Sequence, residues 1–100
     1  MSKLISQELL DTIPDLYETE EIPDPICRVK LFTPDSNWTW YVIELSKENS
    51  TTCFGLVQGL ESELGYFNLD ELESIRGSLG LPAERDLSFK PTLLSKIKRG

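Results

Sequence analysis

The sequence predicts an α+β domain, an antiparallel meander sheet of about four strands with short helices packed on one face. Residues 26–67 hold successive short runs of alternating or β-branched and aromatic residues, each separated from the next by turn chemistry. The stretch from Asn37 to Arg76 carries both tryptophans, all but one of the tyrosines and half the phenylalanines, then closes on a helix-capping signal. Short connections between the runs favour pairing of successive strands over any crossover. With 39% hydrophobic and 27% charged residues in a chain of 100, the composition is that of one folded domain spanning 1–100.

Ser2 to Thr12 reads as a short helix whose Leu4, Ile5, Leu9 and Leu10 fall near one face, and Pro14 stops it. Ile13 to Pro25 carries Pro14, Pro23 and Pro25 among acidic residues and is expected to be an extended arm anchored by Tyr17 and Ile22. Residues 1–25 thus form an acidic helix and arm, and 26–67 the strand meander. Ile26 to Phe32 alternates Cys27, Val29 and Leu31 against Arg28 and Lys30, the period of a half-buried strand. After the turn TPDSN, Trp38 to Leu45 forms a strand with Trp38, Trp40 and Val42 on one face and Tyr41, Ile43 and Leu45 on the other.

Ser46 to Ser50 is a polar hairpin loop, and Thr51 to Val57 and Glu63 to Phe67 are two further strands joined through Gln58 to Ser62. Gly55 and Gly65 inside them suggest a bulge or a close backbone approach. Asn68 is placed to cap a helix over 68–76, with Glu71 at the third helical position, an inward stripe of Leu69, Leu72 and Ile75, and Gly77 as the stop. Residues 77–100 are a loop broken by Gly80 and Pro82, with Ala83 to Lys90 irregular. A short terminal helix carrying Leu93, Leu94 and Ile97 follows, for which Thr92 or Ser95 is the expected cap.

Composition narrows the chemistry. There is no histidine, so the commonest general base for a serine or cysteine nucleophile is absent. Cys27 and Cys53 sit in apolar runs, where a thiol behaves as a small hydrophobe, so reduced core cysteines are expected; a staple between adjacent strands stays open. No metal or other cofactor is expected, because carboxylate pairs such as Glu61 and Glu63 or Glu71 and Glu73 fall on solvated loop and helix positions. The longest apolar runs are far short of the roughly 18 residues a membrane span needs, and residues 1–10 lack the pattern of a signal peptide, so a cytoplasmic location away from membranes is expected.

The net charge of −7 is concentrated at the start, where residues 1–25 hold seven acids against Lys3. Such a chain disfavours nonspecific nucleic-acid binding by phosphate neutralisation. Exposed Trp38 and Trp40 could stack bases beside Arg28 and Lys30, but aromatic residues on a strand apolar on both faces point to core.

The segments LYETEEIPDP, VKLFTPDSNWTWYVIE, FGLVQGLESELGYFNLDELESIRG and ERDLSFKPTLLS resemble, in that order and at these spacings, a bacterial family known as domain of unknown function 2958. The resemblance covers nearly the whole chain. It implies a small standalone cytoplasmic protein often encoded on plasmids and other mobile elements, and it implies no particular activity or cofactor. The family's motifs fall on Thr33, Pro34, Asn37, Trp38, Thr39, Trp40 and Tyr41, on Gly65, Tyr66 and Phe67, on Arg76 and Gly77, and on Glu84, Arg85, Asp86, Phe89, Lys90 and Pro91.

The leading expectation is a non-catalytic protein-interaction module with an unknown protein partner. Its surface would combine Trp38, Trp40 and Tyr41 with Arg76, Arg85 and Lys90, because Arg, Trp and Tyr dominate interface energetics. An alternative is an anti-restriction or anti-CRISPR inhibitor that mimics nucleic acid. It would need Glu8, Asp11, Asp15 and Glu18 on one face of a helix that persisted past Pro14. A third is an enzyme of unknown reaction acting through Glu84, Arg85 and Asp86 in a cleft beside the sheet.

Overall fold

In the computed structural model, which describes residues 3–99, the elements follow in the order α1 (Gln7–Leu10), β1 (Ile26–Cys27), β2 (Val29–Phe32), β3 (Thr39–Leu45), β4 (Thr52–Gln58) and β5 (Ser62–Asn68). They continue with α2 (Leu69–Ser74), β6 (Glu84–Arg85), β7 (Thr92–Leu93) and α3 (Leu94–Arg99). The fold is α+β. Its main sheet has five strands in the order β5-β4-β3-β2-β6, antiparallel throughout, and β1 and β7 make a separate antiparallel pair. The additional strand is β6, in the stretch expected to be irregular; Arg85 pairs with Leu31 and Glu84 with Phe32, so a two-residue segment caps the edge of β2.

The sheet is covered on both faces, not on one. Val29, Leu31, Trp40, Val42, Leu45 and Cys53 pack on the first face against Leu4, Ile5, Leu10 and Ile13 of the N-terminal segment and Leu69 and Leu72 of α2. Cys27, Tyr41, Ile43 and Leu56 pack on the second against Leu94 of α3, with Phe89 and Ile97 beside them. The cause is β3 itself: apolar side chains leave it on both sides, and each face must be taken from water.

The strict alternation expected along 38–45 breaks at a bulge between Val42 and Glu44 in β3. Two residues there oppose one on β4, so Ile43 and Glu44 share a face and Leu45 joins Val42 rather than Tyr41 and Ile43. Glu44 is therefore buried to 3% exposure inside an apolar strand. Its carboxylate accepts from the Tyr17 N–H at 2.8 Å, the Thr19 N–H at 2.9 Å and the Thr19 hydroxyl. That fixes the arm, with Tyr17 held in the left-handed region at φ 72°.

Tyr17 and Ile22, the expected anchors, leave their side chains exposed; the arm is held by Ile13 in the core and, at Tyr17 and Thr19, through backbone N–H groups bonded to Glu44. The N-terminal helix is also shorter than 2–12. It occupies Gln7–Leu10 under a Ser6 cap that accepts from the Leu9 N–H, and Ser2 lies outside the described residues. Helix α3 begins at Leu94, leaving Leu93 in β7. Neither Thr92 nor Ser95 caps it: the Asp24 carboxylate of the arm accepts from the Ser95 N–H at 2.9 Å and hydroxyl at 2.7 Å.

The glycines divide. A Cβ on Gly55 would collide with the Tyr41 carbonyl across the β3–β4 pair, a close backbone approach of the kind expected, whereas one on Gly65 would meet nothing and β4–β5 runs in unbroken register. Helix α2 starts at the Asn68 cap, whose side chain accepts from the Asp70 N–H at 2.8 Å, but ends at Ser74 with Ile75 already extended. Gly77 is thus not its stop.

Candidate functional site

Trp38 and Trp40 flank the start of β3, and the spacing of two sends both rings to the first face of the sheet. The rings stack at 6.1 Å between centroids and 22° between planes. Trp40 is 5% exposed and belongs to the core, while Trp38 precedes the strand and is 42% exposed. The turn that delivers Trp38 is closed by the Thr33 N–H donating to the Trp38 carbonyl at 3.1 Å. Its ring lies over Gly59, in the space a Cβ there would occupy, so the β4–β5 turn needs a glycine to seat it.

Helix α2 crosses the same face. Its first N–H, from Leu69, bonds back to the Thr51 carbonyl at 2.9 Å, which sets it close to the strand it follows. Between α2, Trp38 and Trp40 lies a groove of about 480 Å³. Trp40, Phe67 and Leu72 make its apolar floor, and Trp38, Ile75 and Arg76 stand at its mouth.

One Nη of Arg76 donates to the carbonyls of Glu73 and Ile75, each at 2.8 Å, and so caps the end of α2. The rest of its five-donor fork has no partner among the described residues and is exposed beside the groove. Glu71 lies on the same lining.

The far rim, residues 77–81, is tied down by Asp35. One carboxylate oxygen accepts from the Leu79 N–H at 2.6 Å and the Leu81 N–H at 3.3 Å, while the Ser78 hydroxyl donates to the Asp35 carbonyl at 3.2 Å. That carboxylate fills the place of a Cβ on Gly77, which is why position 77 is a glycine. Sequence reasoning missed Asp35 and Glu44. Asp35 looked like ordinary turn chemistry, and the one signal for Glu44 was a lone acid in the apolar run WYVIEL.

The expected surface residues do not form one cluster. Trp38, Trp40 and Arg76 line the groove. Arg85 lies beyond α2 in a neighbouring shallow hollow that Arg76 also borders, with Glu73 and Glu84. Tyr41 is on the opposite face, buried against Phe89 at 5.7 Å between centroids, and burial raises its hydroxyl pKa. Lys90 is exposed on the C-terminal loop, its carbonyl accepting from the Thr92 hydroxyl at 2.6 Å.

Glu84 and Arg85 both border the hollow beyond α2, but Asp86 does not line it, so the three do not converge. The register puts Glu84 and Arg85 on opposite faces of the edge strand. Asp86 accepts from the Ser88 N–H and hydroxyl, which holds its carboxyl below the usual range, and it meets Lys30 at 3.7 Å.

Cys27 and Cys53 are both free and buried on opposite faces, so no bridge joins them. Desolvation pushes each thiol up to about 12, with Asp24 adding to it at Cys27.

The row of carboxylates from Glu8 to Glu18 is not formed. The helix ends at Leu10, Asp15 accepts from the N–H groups of Leu16 and Lys47, and Glu18 accepts from the Asp15 N–H.

A family model described as a protein of unknown function (DUF2958) matches residues 3–97. The chain belongs to the DUF2958 family. No curated protein and no solved structure matches it. The residues of the DUF2958 chain through which the resemblance was read fall on both faces of the sheet, with Trp38, Trp40, Arg76 and Gly77 around the groove and Tyr41 and Phe89 in the second core. Among its described residues no group of three His, Cys, Asp or Glu side chains is placed to hold a metal ion, and no helix is long and apolar enough to cross a membrane.

Proposed function

We propose that this DUF2958 protein is a non-catalytic interaction module, and that its docking site is the groove between α2 and the Trp38–Trp40 stack. The observation that carries the reading is the half-exposed Trp38 ring, held over an apolar floor beside an exposed Arg76. Left in water, such a ring forgoes the gain from burial, and a Trp beside an Arg at the rim of a desolvated hollow is the arrangement that dominates binding energy in protein interfaces.

The groove's chemistry supports one kind of occupant. The partner is a short protein segment that inserts a bulky apolar side chain over Trp40 and Leu72 and sets an acidic residue against Arg76. Of the chain's acidic residues Glu71 lies on the groove's lining and opposes such a partner directly, whereas charges beyond a Debye length of about 8–10 Å are screened at physiological salt.

Selection of a displayed peptide library on the immobilised protein tests the proposal. Enrichment of segments pairing an aromatic or branched apolar residue with Asp or Glu a few positions away is expected. Their affinity should fall at least about tenfold with Trp38→Ala and with Arg76→Ala, measured at a temperature well below the melting point of each variant, since Trp38 stacks on Trp40 and Arg76 caps α2. Selected peptides that bind both variants as well as wild type, or no enrichment, would defeat the reading. Trp40→Ala is unsuited, since truncating that buried ring costs about 3–5 kcal/mol of stability.

A further inference from the structure

Strand β5 ends the main sheet on one side, with seven residues and no neighbouring strand beyond it among the described residues. The two edges are treated differently. On the other side only the two-residue β6 is exposed, followed by the turn at Asp86 to Ser88. Along β5 there is no lysine, no proline and no bulge to keep the edge from pairing with another chain, and Glu63 is its one charge.

The Leu69 N–H bonds to Thr51 across the β4–β5 pair, and alternation from that point turns the N–H and C=O groups of Phe67, Gly65 and Glu63 toward β4. Those of Ser62, Leu64 and Tyr66 therefore point away from the molecule. The Leu64 and Tyr66 side chains stand exposed on the second face of this same strand.

We propose that this edge pairs antiparallel with the same edge of a second copy, about a two-fold axis at Gly65. The register follows from the sequence SELGYFN. With Gly65 opposite its own symmetry mate, Leu64 faces Tyr66 of the second copy, and because the backbone groups of both point outward, each of these two symmetry-related pairs exchanges both hydrogen bonds; Ser62 faces Asn68, where the strand gives way to α2.

The side chains agree with that register. Leu64 against Tyr66 is an apolar–aromatic cross-strand pair, made twice by the symmetry. Glu63 lies opposite Phe67, and the two Glu63 carboxylates stand four residues apart, about 13 Å, farther than the screening length. A two-fold at Glu63 would instead set like charges face to face. Gly65 fits the same picture: it has ordinary backbone geometry and empty space where a Cβ would go, so nothing within one copy requires a glycine at the centre of this strand.

Sedimentation velocity of the full chain over a range of concentrations tests the pairing. Wild type is expected to show a concentration-dependent dimer. Leu64→Pro removes an outward N–H without removing a bond to β4, and the double substitution Leu64→Lys, Tyr66→Lys places lysines opposite one another in both symmetry-related pairs. Each is expected to sediment as a monomer with a far-UV spectrum like that of wild type. If the proline variant does not fold, the double lysine variant at two exposed positions still reads the edge. A wild type that stays monomeric throughout would overturn the proposal and leave the edge to a strand of a different protein; a dimer that survives the lysines would overturn it as well.

Discussion

Cys27 and Cys53 are walled off from solvent on opposite faces of the sheet, and that burial makes stability sensitive to alkali. Each thiol titrates near 9.0 when free and is pushed up to about 12 in the fold. Below about pH 9 both folded and unfolded chains keep the proton, and the stabilisation is complete. As pH rises from 9 toward 12 the unfolded chain sheds protons the folded chain retains, so stability falls across that window. Urea midpoints should hold steady to about pH 8.5 and then decline, with a shallower decline in Cys53→Val; a flat profile would contradict the burial. The apolar runs around both thiols made their burial readable from sequence, but not the face of Cys27: the single strand expected over 26–32 breaks at Arg28, so β1 pairs with β7 and Cys27 joins the second core rather than the face of Val29 and Leu31. Trp38 was harder, because its exposure is set by the turn from Thr33 and by the seat at Gly59 rather than by strand periodicity.

Strands and helices were recovered more faithfully than their register. The meander from β2 to β5, the Asn68 cap and the stripe of Leu69 and Leu72 follow from period and turn chemistry. The bulge at Val42 to Glu44 does not, because a strand apolar on both faces loses no pattern when it slips by one residue. Gly55 and Gly65 show how differently one residue type can be used within a single strand pair. Gly55→Ala drives a methyl into the Tyr41 carbonyl and should cost at least about 3 kcal/mol, since the obstacle is backbone in the middle of the sheet. Gly65→Ala meets open space and should be neutral or stabilise the monomer by up to about 1 kcal/mol. Equilibrium unfolding of the two variants checks both, and equal losses would mean that the close approach at Gly55 is not what fixes the glycine there.

For the molecule as a whole, composition and periodicity gave the class, but covering both faces depended on long-range placements that no local pattern encodes. Arg76 and the tryptophans were visible as candidates; the groove was not, because its rim is drawn in by Asp35 across more than 40 residues of sequence. The second face depends in the same way on the C-terminal residues. Removing residues 91–100 deletes β7 and α3, strips Leu94 and Ile97 from Cys27, Tyr41, Ile43 and Leu56, and takes Ser95 from Asp24. The truncated chain should bind a hydrophobic dye and lose its near-ultraviolet signal while keeping much of its strand content; a native-like melt would show that α3 is dispensable.

The arm's partners also set the order in which the chain can be completed on the ribosome. Its buried and bonded groups wait for residues made later: Tyr17 and Thr19 for Glu44, the Lys3 N–H for Glu73, and Asp24 with β1 for Ser95 and β7. These groups are thus made before the residues that satisfy them. The seven acidic residues of 1–25, against Lys3, favour a solvated segment until those partners are made.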